Sequence, residues 1–101
     1  MFTPARYKPL AGSQLISSAT LASAQTLTIP AGANVAIFRV VSAAASSVTW
    51  RDDGTAPTAA TGMPALNTDP PYEYSGLLSA IQFILSSGTP TLYVSYYQAF
   101  V

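Results

Sequence analysis

Apolar residues along this chain recur at every second position, which is the period of a β-strand and not of a helix. Between residues 25 and 29, Leu27 and Ile29 alternate with threonines. The same kind of segment returns five times, at 34–42, 47–51, 72–75, 80–85 and 91–98. These segments are rich in the β-branched and aromatic residues that strands favour. The pattern therefore predicts a fold built from strands.

Turn-forming residues separate the predicted strands. Clusters drawn from Gly, Pro, Ser and Asp occur at 30–33, 52–54, 75–76 and 87–90, where they interrupt the alternation. Roughly six to eight short strands in a single chain of this length indicate an all-β fold, a small antiparallel β-sandwich of jelly-roll or immunoglobulin-like topology. A simpler meander is also possible. Segment 13–24 is compatible with a helix, but its Ser and Thr content favours strand or extended chain at least as well.

Two segments lack the alternation. Residues 1–12 combine prolines with Phe2, Tyr7 and Leu10, and we predict an extended N-terminal arm there, with 13–101 as the single sandwich domain. The three apolar side chains would anchor the arm on a neighbouring molecule. Residues 52–71 contain four prolines and predict a long loop, which in a small domain is usually functional or bound to a partner.

Composition excludes most catalytic chemistry. The chain has no Cys and no His, so it cannot form a thiolate nucleophile, an imidazole base or a zinc site of the usual kind. Its net charge is zero, which argues against a surface that binds nucleic acid. No run approaches the roughly 18 apolar residues of a membrane-spanning helix. We therefore expect no enzyme activity, no cofactor, no nucleic-acid partner and no membrane partner.

The low number of charges also bears on the surface. Only 8% of the residues are charged, against about 25% in an ordinary soluble domain. A surface with few charges gives poor colloidal protection. We therefore predict that much of the surface is covered in an assembly, as a homo-oligomer or against another protein. The alternative is a Ser/Thr-rich surface that is soluble by itself.

The four carboxylates flank the long loop. Asp52, Asp53, Asp69 and Glu73 could gather around calcium, which takes oxygen ligands, or supply the acid and nucleophile of a glycosidase. No Asp-x-Asp-x-Asp spacing is present, and the residues also suit a turn and a proline corner. We therefore predict no metal site and no catalytic residue.

Several aromatic side chains and two arginines remain as binding candidates. The aromatic residues could form a platform for stacking sugars or could pack in the core; they are Trp50, Tyr72, Tyr74, Tyr93, Tyr96 and Tyr97. Arg39 lies inside an apolar strand and should pair with a carboxylate or reach a subunit interface. Arg51 should mainly stabilise the adjacent loop. The residues predicted to contact a partner are Phe2, Tyr7, Leu10, Arg39, Arg51, Asp52, Asp53, Tyr93 and Tyr97.

The loop and its flanks also resemble a known group of proteins. Residues 50–58, WRDDGTAPT, followed by Gly62 and Met63, resemble a pattern in small virion-associated β-proteins of tailed bacteriophages. Segments 27–33, 74–81 and 92–97 resemble these proteins as well. The resemblance implies a structural protein encoded among head and tail genes, and it supplies no catalytic or binding residue. Residues 1–12 and the proline-rich 67–71 depart from the pattern and fit attachment segments.

These observations together predict a non-enzymatic structural protein of a bacteriophage virion, assembled in the cytoplasm of the bacterial host. Its most direct role would be to decorate or cement the capsid, binding the major capsid protein or another virion protein through the arm and the loops. Two alternatives are a ring or fibre-adaptor subunit of the tail or neck, and a module that binds glycans of the host surface.

Overall fold

The predicted alternation forms strands in the computed structural model, which describes residues 7–99. Eight strands are present in this part of the chain: β1 Tyr7–Ile16, β2 Gln25–Thr26, β3 Val35–Val41, β4 Ser47–Arg51, β5 Met63–Leu66, β6 Tyr72–Tyr74, β7 Gln82–Ser87 and β8 Thr91–Ala99. A 3-10 helix, Thr20–Ala22, lies between β1 and β2. The all-β prediction is confirmed, and segment 13–24 holds the end of β1 and this short helix. Within residues 7–99, no helix is long and apolar enough to cross a membrane.

The strands form a sandwich of two antiparallel sheets. The first sheet has the order β1-β8-β3-β6 and the second has the order β2-β7-β4-β5. Strands pair from the ends of the chain inwards, β1 with β8, β2 with β7, β3 with β6 and β4 with β5. This nested pairing over two sheets is jelly-roll topology. Among the topologies that the sequence left open, the chain adopts this one.

The core lies between the sheets. Phe38 of the first sheet is almost fully buried, and its ring packs edge-on against Phe83 and Trp50 of the second sheet, with centroid distances of 5.0 and 5.7 Å. The ring of Tyr72 stacks on Phe38 at 5.2 Å. Aromatic pairs at these separations are favourable beyond the area they bury. Phe38 therefore links the two sheets near the centre of the sandwich.

The structure places the second half of the predicted arm in the sandwich. Residues 7–12 belong to β1, which pairs with β8 along its length, while 1–6, with Phe2, lie outside the described residues. Pro9 is tolerated because β1 is an edge strand. A bulge between Leu10 and Gln14 shifts the register, and Gly12 adopts a φ of +107° there. The proline and the bulge interrupt the alternation, which is why the sequence pattern did not reveal this strand.

The predicted loop 52–71 is interrupted by a strand. Met63–Leu66 forms β5 at the edge of the second sheet, with Val48 of β4 paired to Ala65. Pro64 lies in the middle of this strand, and proline is accepted at a sheet edge. The remaining loop, 52–62, folds back over the outer face of the second sheet, and this placement determines which surfaces of the molecule stay open.

Candidate functional site

The first pair of carboxylates, Asp52 and Asp53, belongs to the loop. The Arg51 guanidinium contacts Asp53 at 2.5 Å in an ion pair, and the amide of Thr55 donates to Asp53 Oδ1 at 3.1 Å. The bond from Arg51 is the main reason why the pKa of Asp53 lies below its usual value. Arg51 and Asp53 thus stabilise the start of the loop, and Asp52 accepts a bond from the Tyr74 hydroxyl at 3.0 Å.

The second pair, Asp69 and Glu73, also accepts hydrogen bonds from the chain. Asp69 Oδ2 accepts from the Leu66 amide at 2.9 Å and from the Tyr72 hydroxyl at 2.8 Å. Both hydrogen bonds lower the pKa of Asp69, and the bond from the Leu66 amide has the larger effect. Glu73 accepts from the Tyr7 hydroxyl. All four carboxylates of the chain are therefore engaged, three of them by tyrosines.

The geometry gives no support to the calcium or glycosidase hypotheses. In the described part of the chain, no three carboxylates come together as a group that could hold a metal ion. Each carboxylate instead has its own internal hydrogen-bond donor, as an ordinary structural carboxylate does. In the described chain, these carboxylates serve as hydrogen-bond acceptors within the fold.

Four tyrosine hydroxyls have pKa values above the ordinary value. Burial raises the pKa of Tyr96 to about 12. The pKa values of Tyr7 and Tyr72 are raised above the ordinary value, mainly because their hydroxyls donate to carboxylates. For Tyr74, burial is the first cause and the bond to Asp52 the second. The folded state thus opposes ionisation at several tyrosines.

This arrangement predicts a loss of stability in alkaline solution. Unfolded tyrosines ionise near pH 10, whereas Tyr96 stays protonated in the fold, so the unfolded state releases its protons first. The contribution of these tyrosines to the stability of the fold is fully present below about pH 10. It is lost as the pH rises through their raised pKa values. We expect the melting temperature to fall between pH 10 and 12, and to fall less steeply in a Tyr96→Phe variant. A Tyr93→Phe variant, altered at an exposed site, is the control. Equal slopes for all three proteins would contradict the prediction.

Four of the six aromatic residues that could have formed a sugar platform face inwards. Tyr96 is buried in the core, and Trp50, Tyr72 and Tyr74 pack against it. Tyr93 and Tyr97 remain on the outer face of the first sheet. Tyr97 lies against Tyr7, with a centroid distance of 6.1 Å, so Tyr93 is the most accessible of the six; 43% of its surface is exposed.

Loop 52–62 covers the outer face of the second sheet. The carbonyl of Ala59 accepts hydrogen bonds from Thr49 Oγ1 at 3.4 Å and from Ser86 Oγ at 3.0 Å. Thr49 alternates with the core residue Val48, so it lies on the outer face, yet it is only 4% exposed. The chain itself therefore covers part of this face.

The outer face of the first sheet is open at its centre. Leu15 on β1 pairs with Tyr93 on β8, and Tyr93 pairs with Arg39 on β3, so the three form one row across the sheet. Leu15 is 73% exposed and Val41, two residues beyond Arg39, is 49% exposed. We call the surface of Leu15, Arg39, Val41 and Tyr93 the open face. It combines large apolar side chains with a single cation.

The structure distributes the predicted contact residues over four places, and Arg51, Asp52 and Asp53 lie at the start of the loop. Arg39 and Tyr93 lie on the open face, and Tyr7 and Tyr97 lie on the same sheet nearer its end. Leu10 packs against the core. Sequence reasoning missed Leu15 and Val41. The sequence did contain an indication for Val41. Arg39 and Val41 are two residues apart on β3 and so lie on the same face, and a charged residue inside an apolar strand indicates that this face points outwards.

A small apolar crevice lies at one end of the sandwich. Its volume is about 230 Å³, and it is lined by Ile29, Ala33, Asn34, Gly76, Leu77, Leu78 and Ser79. Pockets for small ligands usually measure about 300–1,000 Å³, so this crevice is below that range and offers few polar groups for recognition.

No protein-family model matches the chain, and neither a curated protein nor a solved structure matches it.

Proposed function

We propose that this chain is a non-enzymatic structural protein of a tailed-bacteriophage virion and that it decorates or cements the capsid. The observation that carries a binding role is the open face, where Leu15, Val41 and Tyr93 are exposed together. Contiguous exposed apolar surface rimmed by polar residues typically marks an interaction site. The resemblance of residues 50–58 and 62–63 to phage virion proteins supports placing this interaction in a virus particle.

The chemistry of the chain agrees with a structural role. It has no Cys or His, and its four carboxylates accept hydrogen bonds from neighbouring residues. The rigid body is a jelly roll, with the second sheet partly covered by its own loop. Such a body can present one face to a partner, and repetition over a lattice allows weak single contacts to add up. Self-association, which the low charge predicts, stays a prediction.

The test is the number of copies in purified particles. Quantitative mass spectrometry should find this chain at a fixed stoichiometry to the major capsid protein, either equal or a constant lattice fraction. That result supports decoration. A handful of copies per particle would favour the alternative of a tail or neck subunit, which uses the same kind of contact. Absence from the particles would overturn the proposal.

We propose residues 1–6 as a second contact with a neighbouring virion protein, and a separate experiment tests this contact. Because 7–12 belong to β1, the informative deletion removes only residues 1–6 and leaves the strand intact. If the N-terminus adds hydrogen bonds or a strand to a neighbour, as in β-strand addition, the deletion should reduce incorporation into particles about tenfold or more. Its thermal unfolding should match that of the full chain. Full incorporation would contradict a role for these six residues and leave the open face as the contact.

A further inference from the structure

The open face carries a cation that no carboxylate of the described chain neutralises. Within residues 7–99 the ion pair found is Arg51 with Asp53, and the other three carboxylates accept from tyrosine hydroxyls. Arg39 is exposed on β3, and its cross-strand neighbour is Tyr93. A guanidinium with five donors is thus presented among apolar side chains.

The charge pattern disfavours a second copy as the occupant of this face. In a two-fold symmetric contact, a residue near the axis faces its own copy, and residues farther from the axis face different residues of the partner. Neighbouring strands are about 4.8 Å apart, so an axis near Tyr93 would bring the two Arg39 side chains close together. The acidic residue of this sheet is Glu73, which pairs with Ile37 and accepts from Tyr7. A dimer whose axis lies near Tyr93 therefore sets two like charges against each other, which opposes this contact.

We propose that the open face docks onto a different virion protein that presents an aspartate or glutamate within an apolar patch. Arg39 would bind that carboxylate through two parallel N–H···O hydrogen bonds, the bidentate geometry that the planar guanidinium favours. Leu15, Val41 and Tyr93 would pack around the pair and exclude water from it. This inference rests on the proposed virion function and names the chemistry of its partner.

The first experiment measures binding to particles made without this protein. Purified full chain is titrated onto them, and the bound fraction is determined by co-sedimentation. We expect Arg39→Glu to weaken binding by about thirtyfold or more, the scale of a desolvated charge pair that is disrupted, and Arg39→Lys to weaken it less. Lys8→Glu is the matched control, because Lys8 is exposed, lies off the open face and gives the same change in net charge. It should bind within about twofold of the natural chain.

The second experiment blocks the open face only after the protein has folded. The chain has no cysteine, so Leu15→Cys and Leu77→Cys each provide one labelling site after folding. The two side chains are 73% and 67% exposed, but Leu77 lies outside the open face. A maleimide-linked polyethylene glycol on Leu15→Cys should abolish binding to the particles, whereas the same label on Leu77→Cys should not.

The outcomes separate the inference from the function it rests on. If the natural chain binds the particles and both Arg39→Glu and labelled Leu15→Cys bind equally well, the open face is not the docking surface, while the virion role stands. If Leu15→Cys becomes protected from labelling as the free protein is concentrated, a second copy covers the face, and the proposal of a different partner is overturned. If the natural chain neither binds nor occurs in particles, the proposed function itself is wrong.

Discussion

Replacing Phe38 with alanine should destabilise the sandwich by about 3–5 kcal/mol, the usual cost of truncating a buried aromatic ring. A domain of this size has a total stability of about 5–15 kcal/mol, so much of it would be lost. The large effect is expected because the ring touches aromatic side chains of both sheets: Tyr72 at 5.2 Å in the first, and Phe83 at 5.0 Å and Trp50 at 5.7 Å in the second.

Urea unfolding followed by the fluorescence of the single tryptophan measures this effect directly, since Trp50 lies against Phe38. Val41→Ala is the control on the same strand. It removes apolar atoms from a side chain that is 49% exposed on the outer face, and it should cost less than about 1 kcal/mol. Comparable losses for the two variants would show that the inner and outer faces of β3 are assigned wrongly.

Replacing Gly62 with alanine should have the second-largest effect, about 3 kcal/mol. Its φ is +143°, a conformation that L side chains rarely adopt, and this alone costs about 1–3 kcal/mol. An added Cβ would also lie 2.6 Å from Thr49 Cγ2 and 2.8 Å from the carbonyl oxygen of Trp50. Crowding of this kind costs a further 1–3 kcal/mol or so, because the backbone of β4 cannot move aside.

Gly54→Ala separates the two causes. Gly54 also has a positive φ, +80°, but nothing lies within 4 Å of the added Cβ. It should therefore show a conformational cost without crowding, about 1–2 kcal/mol. A larger loss at Gly62 reports the crowding together with its less accessible φ. We further expect faster hydrogen exchange at the amides that pair Thr58 with Thr61 in the Gly62→Ala variant, because the loop is displaced from the second sheet. Equal losses at both glycines would contradict this packing of the loop.

The two sheets differ in how their outer faces are used, and the difference has functional consequences. On the second sheet, the Ala59 carbonyl binds Thr49 and Ser86, so the loop occupies part of that face. On the first sheet, Tyr7 reaches Glu73 and rests near Tyr97, which closes one end only. The centre stays exposed and apolar around Arg39. A partner that docks there would gain buried area without displacing any of residues 7–99.

Strands were predictable where both their alternation and their residue types were uninterrupted. Segments 34–42 and 91–98 became β3 and β8, the central strands of the first sheet. A proline there would leave a ladder hydrogen bond unmade. Two of the four edge strands, β1 and β5, were not predictable in the same way. β1 contains Pro9 and a bulge, and β5 contains Pro64. Proline inside a sheet is confined to edges, and bulges are more frequent there. Each of these irregularities hides the alternation.

The sequence by itself determined the fold class and the lack of Cys and His, because strand period and residue type are local properties. It also showed that Arg39 and Val41 lie on the same face of β3, and a charged residue in an apolar strand indicates that this face points outwards. The tertiary structure alone decided which face is open. The exposure of each face depends on contacts between residues that are distant in the sequence, such as Ser86 with Ala59 and Tyr7 with Glu73. The local pattern of apolar and polar residues does not determine where a loop folds back.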